Sequence, residues 1–324
     1  MVELVRRDPG SLSFLWMSFS APHLPYTPPS KWWDLFRDLP VPEPRTGNSN
    51  DPSDLPAPFL RAQLPGDYDR VTGAWREMSV RAYHALVARI DARISAVLGK
   101  LRELNLTKNT IILYVSDHGD MLGDFGTFMK RVFYDGASNV PFILYLPEGH
   151  PDRRPGEVCH HPVGLQDILP TLLDAAGLDV SRDITRVSAI EAVRDPSRGR
   201  GLLHGDYSAS VDGLDATHMI TDGRTKYIWY NEGDVEHLFD LENDPKERRN
   251  LSAEPNSQSV LEEWRKRLID ELSAKNSPDV RNGSLVSQPK SKIDLRELRS
   301  RTAFNPRGID LLTVREGLRS PLAT

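Results

Sequence analysis

Apolar residues recur most regularly in the first half of the chain, where Trp75, Met78, Ala82, Leu86, Ile90, Ile94, Val97, Leu98 and Leu101 fall three or four residues apart or nearly so. That spacing follows the 3.6-residue turn and predicts an amphipathic helix over residues 74–104. Residues 13–20 form a short apolar, aromatic run, which predicts a buried strand. The prolines of Ala21-Pro-His-Leu-Pro-Tyr-Thr-Pro-Pro break it, so His23 is expected where a strand ends. Residues 31–66 are rich in proline, glycine and asparagine and read as a long surface excursion. Residues 109–116 are a continuous β-branched run, the pattern of a strand covered on both faces in a parallel sheet, and Asp117-His118-Gly119 lies at its carboxyl end. Residues 140–146 predict another strand. Residues 167–177 predict a short helix with proline in its first turn and glycine closing it. Strands alternating with helices indicate an α/β domain.

Between residues 180 and 201 the pattern dissolves into charged and small residues, which suggests a boundary. Residues 202–208, 218–230 and 236–241 then read as antiparallel strands, with Asp222-Gly223 as a hairpin turn. A helix over 260–274 could cover that sheet. Beyond residue 275 the chain is polar and punctuated by proline, with a short charged helix expected at 293–301. The division that follows is an α/β domain over 1–180, a smaller sheet-and-helix domain over 201–275, and a loosely held tail over 276–324.

With 39% hydrophobic and 27% charged residues, the chain has the composition of a folded globular protein. Its 41 basic and 46 acidic residues leave a formal net charge of -5, with no basic excess to attract nucleic acid or an anionic membrane. The single cysteine, Cys159, excludes an internal disulfide. No apolar run approaches the roughly 20 residues of a membrane span, and the first ten residues lack a signal-peptide core, so the chain as written reads as cytoplasmic.

Ligand sites in α/β sheets collect at the carboxyl ends of strands, which makes His23, Asp117 and His118 candidates. Neighbouring aspartate and histidine can offer an oxygen and a nitrogen to one divalent cation, although by residue type alone an ordinary strand-end turn is the commoner origin of such a dipeptide. The longer string Ser116-Asp-His-Gly-Asp-Met-Leu-Gly-Asp-Phe-Gly-Thr-Phe-Met-Lys130 resembles the metal-and-lysine segment of sulfatases. Ser18-Phe-Ser-Ala-Pro-His-Leu-Pro25, Tyr83-His-Ala-Leu-Val-Ala-Arg-Ile-Asp91, Val140-Pro141 and Asp167-Ile-Leu-Pro-Thr-Leu-Leu-Asp-Ala-Ala-Gly177 follow in that family's order. Leu238-Phe-Asp-Leu-Glu-Asn-Asp-Pro-Lys-Glu-Arg-Arg-Asn-Leu251 resembles its C-terminal module. The chain is thus similar, over about residues 13–272, to the C-terminal portion of sulfatases of the arylsulfatase and choline-sulfatase kind, in the alkaline phosphatase superfamily.

The resemblance implies a metal-dependent hydrolase of small sulfate esters. Asp117 and His118 would be ligands to a divalent cation, calcium in the first instance, and Lys130 would contact the sulfate group. His23 would hydrogen-bond sulfate or help to protonate the leaving oxygen. His84, His160, His161 and Cys159 take the ordinary packing reading, and Asp120 and Asp124 read as turn residues. Phe125 stands where many relatives carry histidine, so the pocket wall departs from the family there.

The family's nucleophile is a formylglycine made from Cys or Ser in a Cys/Ser-x-Pro-x-Arg motif, and no such motif occurs in this sequence. Arg194-Asp-Pro-Ser-Arg198 approximates it but has arginine at the nucleophile position. The family's paired aspartates, which complete the metal shell, have no counterpart either. The expectation is therefore a truncated chain, inactive alone, with weak metal affinity and uncovered strand edges. A phosphonate or phosphate ester hydrolase of the same superfamily and a non-catalytic remnant are the alternatives.

Overall fold

In the computed structural model, which describes residues 13–47, 73–178, 187–208 and 216–289, the helical spacing becomes a helix with nearly the expected bounds. Helix α1 is Ser30–Trp33 and helix α2 is Ala74–Glu103. Ala82, Leu86, Ile90 and Leu101 of the apolar stripe are buried, whereas Trp75 is exposed. The described residues fall into two compact units, one of residues 13–41 and 77–100, the other of residues 42–47, 73–76 and those from 101 onward.

In the first unit, Tyr26 sets its ring edge-on to Tyr83, Phe36 stacks on His84, and Arg81 donates to the Leu39 carbonyl (2.8 Å) while pairing with Glu77. His84 is thus a packing residue. Residues 13–20 are not the expected strand. They lie outside every described strand, with Phe14 75% and Trp16 77% exposed. An apolar run specifies burial, but a strand also needs a neighbour for its backbone N–H and C=O groups, and none of the described strands supplies one. Of the predicted excursion over 31–66, residues 31–47 contain α1 and turns, and 48–66 lie outside the described residues.

In the second unit β1 (Ile112–Val115) pairs with β2 (Phe142–Tyr145), and α3 (Asp135–Ser138) lies between them in sequence. The pairing is antiparallel, Ile112 opposite Tyr145 and Val115 opposite Phe142, and not the parallel arrangement read from the β-branched run. Tyr114 and Ile143 face each other on an exposed surface, while Leu144 packs toward buried Leu146, Ala175 and Ile190. Continuity of apolar residues over so short a segment does not distinguish one covered face from two. Helix α4 (Ile168–Ala175) carries Pro170 in its first turn and ends as expected at Gly177, whose φ of 68° suits a left-handed cap. Helix α5 (Ala189–Arg194) follows, tied back by Arg194 to Asp152 (2.5 Å) and Asp174 (2.8 Å). The near-match to the nucleophile motif at 194–198 is therefore an ion-paired helix end and the single turn after it.

A four-stranded antiparallel sheet in the order β3 (Leu203–Tyr207), β4 (Thr217–Thr221), β5 (Thr225–Tyr230), β6 (Val235–Asp240) follows the predicted strands closely. Asp222 accepts from the backbone N–H groups of Arg224 and Thr225, and Gly223 has φ 90°, which closes the predicted hairpin. The two-residue alternation of a strand sorts the side chains onto two faces. Ile220, Tyr227, Trp229 and Leu238 meet Leu261, Trp264, Leu268 and Leu272 of helix α6 (Gln258–Ala274). Met219, Ile228, Tyr230 and Phe239 point the other way and pack on Met121, Val132, Tyr134 and Ala137. Each fully buried large side chain contributes roughly 1.5–3 kcal/mol, so both layers are firmly attached. Beyond α6, β7 (Val280–Arg281) and β8 (Ser284–Leu285) form a small hairpin whose Val280 and Leu285 pack against the α6 face. The expected helix at 293–301 lies outside the described residues.

Candidate functional site

The layer on the inner face of the four-stranded sheet is the segment that carries the predicted chemistry. After β1, Ser116 Oγ donates to the His118 carbonyl (2.8 Å) and bends the chain, leaving Asp117 83% exposed at its side chain. The His118 N–H donates to Asp117 Oδ1 (3.0 Å), which turns the carboxylate back toward the imidazole, and Asp117 Oδ2 lies 3.6 Å from His118 Nε2. Two donors each about 2.3 Å from one cation and roughly at right angles would stand about 3.3 Å apart, so this spacing fits a shared ion.

The imidazole is oriented by a backbone bond. Its Nδ1 lies 2.8 Å from the Gly119 carbonyl. A carbonyl can only accept, so Nδ1 carries a proton, and whenever the ring is neutral its lone pair is on Nε2, beside the carboxylate. Glycine is required at 119, because a Cβ there would stand 2.2 Å from the Gly136 carbonyl oxygen, and the Gly119 N–H donates to the Ala137 carbonyl (2.8 Å). Asp117 also lines a cavity of about 1090 Å³, with Asp135, Ser138, Asn139 and Lys226 on its wall.

Between His118 and Lys130 the loop is closed by its own backbone. Asp120 accepts from the N–H groups of Leu122 (3.0 Å) and Met129 (2.9 Å), Met121 N–H donates to Met129 (2.8 Å), and Gly123 N–H to Thr127 (2.7 Å). Asp124 pairs with Arg45 and accepts its backbone N–H (2.8 Å). Asp120 and Asp124 are therefore turn-forming residues, as expected. Phe125 packs on Tyr134, with ring centroids 4.6 Å apart. Half-buried Lys130 sits between Met129 (φ 69°) and Arg131 (φ 93°), two side-chain-bearing residues in a conformation usually left to glycine. Such strain persists where surrounding bonds over-determine it, as the Asp120 bond to Met129 and burial of Val132 do here.

The structure thus brings Asp117 and His118 together and sets Lys130 on the same closed loop. His23 belongs to the first unit, on an exposed turn where its Nδ1 meets the Leu24 carbonyl (2.9 Å). Among the described residues no three His, Cys, Asp or Glu side chains form a metal-holding group, and Asp117 with His118 is a pair of donors only. Cys159 is exposed and His161 lies against Gly199.

Sequence reasoning missed the bonds beneath the loop. Lys226, 3% exposed, donates from Nζ to the Phe133 carbonyl (3.0 Å), to Asp135 and to Glu247 Oε1 (2.7 Å), and Glu247 Oε2 accepts the Asp135 N–H (2.7 Å). Burial pushes the Glu247 carboxyl up from its ordinary value against the pull of Lys226, and burial likewise holds the Tyr134 phenol well up. The signal was a lysine within a run of strand residues, at the same parity as Ile228 and Tyr230.

The family model described as Sulfatase matches residues 2–178, and that described as N-sulphoglucosamine sulphohydrolase, C-terminal, matches residues 123–274. The arylsulfatase of Clostridium perfringens is 34% identical over 277 residues, covering 84% of this chain and 56% of the relative. The choline-sulfatase of Rhizobium meliloti is 33% identical over 250 residues, covering 74% and 46%. Among solved structures, a phosphonate monoester hydrolase from Silicibacter pomeroyi superposes with a TM-score of 0.66 at 20% identity, covering 82% of this chain and 58% of that one, a likeness of fold. The chain spans about half the length of the curated relatives it matches. No described helix is long and apolar enough to cross a membrane. By the family match over more than half its length and the identity to both relatives, the chain belongs to the sulfatase family, with the α/β fold of that family.

Proposed function

We propose that this chain supplies the cation and sulfate-binding part of a hydrolase acting on small sulfate esters. The observation that carries the reading is the His118 Nδ1 bond to the Gly119 carbonyl, which leaves the Nε2 lone pair beside the Asp117 carboxylate. Asp117 and His118 would hold a divalent cation, calcium in the first instance. Such a cation, when bound, draws charge from the ester oxygens and orients the sulfate group. Lys130 neutralises charge on those oxygens as the S–O bond lengthens, and its strained, closed loop limits the ammonium's freedom to move away. His23 hydrogen-bonds sulfate or donates a proton to the leaving oxygen. The 324 residues contain no Cys/Ser-x-Pro-x-Arg motif, and the reading assigns no attacking group to this chain.

Cation-dependent binding of 4-nitrophenyl sulfate, followed by calorimetry, tests the proposal. Binding that needs the divalent ion and weakens in Lys130→Ala supports it. Binding indifferent to the ion and to Lys130 contradicts it. Tighter binding of a phenyl phosphonate monoester than of the sulfate would shift the ester class while leaving the site in place.

A further inference from the structure

A lysine at position 226 needs explaining, because burying an ammonium is unfavourable unless it is fully paired, and well-packed apolar residues in place of a buried ion group are often no less stable. Stability is therefore a weak reason for it. What an ion group adds over apolar packing is direction, and two of the three bonds made by Lys226 reach the segment leading into α3, the third going to Glu247. Nζ takes the Phe133 carbonyl and the Asp135 carboxylate from that segment, and Glu247 completes the group by accepting the Asp135 N–H (2.7 Å). Helix α3 then meets the metal-donor turn directly. The Ala137 carbonyl accepts the Gly119 N–H (2.8 Å), and the Gly136 carbonyl closes on Gly119 at the point where any side chain would collide. The Gly119 carbonyl in turn accepts from His118 Nδ1 (2.8 Å). Covalent chain and hydrogen bonds run without a gap from a buried lysine on β5 to the ring that faces Asp117.

We propose that Lys226, through Asp135, Glu247 and α3, is a positioning residue that holds the Gly119 peptide so that its carbonyl fixes His118 with the proton on Nδ1 and the lone pair on Nε2. Lys226 touches neither cation nor ester in this account. The inference rests on Asp117 and His118 being the metal donors, but its readout is the imidazole itself. A partner that orients a metal-ligating histidine commonly changes metal affinity by about 10- to 100-fold when removed, which is the expected loss on replacing Lys226.

The test is a long-range nitrogen–proton correlation spectrum of the histidine rings, recorded without metal at a pH where His118 is neutral. It compares the chain with Lys226→Met, Lys226→Arg and the double variant Lys226→Met, Glu247→Met, which removes the lysine and its buried partner together. The expected result is a proton on Nδ1 of His118 in the chain, loss of that single tautomer in both methionine variants, and its recovery in Lys226→Arg. Retention of folding is read from the indole resonances of Trp229 and Trp264. A folded methionine variant, single or double, that keeps the Nδ1 proton overturns the proposal, and so does a chain whose His118 carries its proton on Nε2. If the tautomer is lost as expected while the unsubstituted chain fails to bind Mn²⁺, the positioning stands and the metal reading alone is rejected.

Discussion

The proposed roles of His118 and Lys130 differ in a way single substitutions can separate. On the proposed reading, replacing Lys130 by alanine would remove a charged contact to the ester and leave the two cation donors in place. Binding of 4-nitrophenyl sulfate should weaken about 10-fold or more, as expected for loss of a hydrogen bond to a charged group, with Mn²⁺ affinity unchanged. Calorimetry with each ligand checks both halves of that statement. Asp117, His118 and Lys130 stand out as candidates in the sequence because a string of family residues surrounds them. The strain beside Lys130 was not, since neither methionine nor arginine signals a positive φ at positions 129 and 131. Lys226 and Glu247 lie far from that string in sequence, and their partnership with Asp135 arises only when the sheet has formed.

Elements with a clear period or clear turn signals were readable, and the shortest helices were not. Helix α2, helix α6 and strands β4 to β6 follow directly from spacing and turn residues, whereas α3 and α5, of four and six residues, are too short to show a period. The run at 13–20 was misread because apolar character predicts burial and not a pairing partner. At this scale the sheet should respond to losses on either face. Leu268→Ala, at a fully buried position of α6, should cost about 2–5 kcal/mol in urea unfolding by leaving a cavity under Trp229 and Leu238. Gly119→Ala must move the Gly136 carbonyl, so about 1–3 kcal/mol of destabilisation together with weaker Mn²⁺ binding is expected from the same unfolding curves and a titration.

For the molecule as a whole, buried histidine sets part of the acid sensitivity. Burial holds His237 down to about 4 from its ordinary 6.5, so between those values the unfolded chain takes up a proton that the folded one refuses. Its contribution is fully present above about pH 6.5 and is lost as the pH falls toward 4, on the order of 3 kcal/mol in all. His237→Gln, which keeps a group for the Tyr134 hydroxyl, should flatten the stability profile over that interval in urea titrations at successive pH values. The α/β class and sulfatase kinship were both legible in the chain, because motif order survives where strand pairing cannot be read. The central claim is that Asp117 and His118 share one divalent cation, and Mn²⁺ binding followed by electron paramagnetic resonance tests it most directly. The account predicts saturable binding to the chain that falls at least about tenfold in both Asp117→Asn and His118→Ala. Equal binding in the chain and in both variants would contradict it.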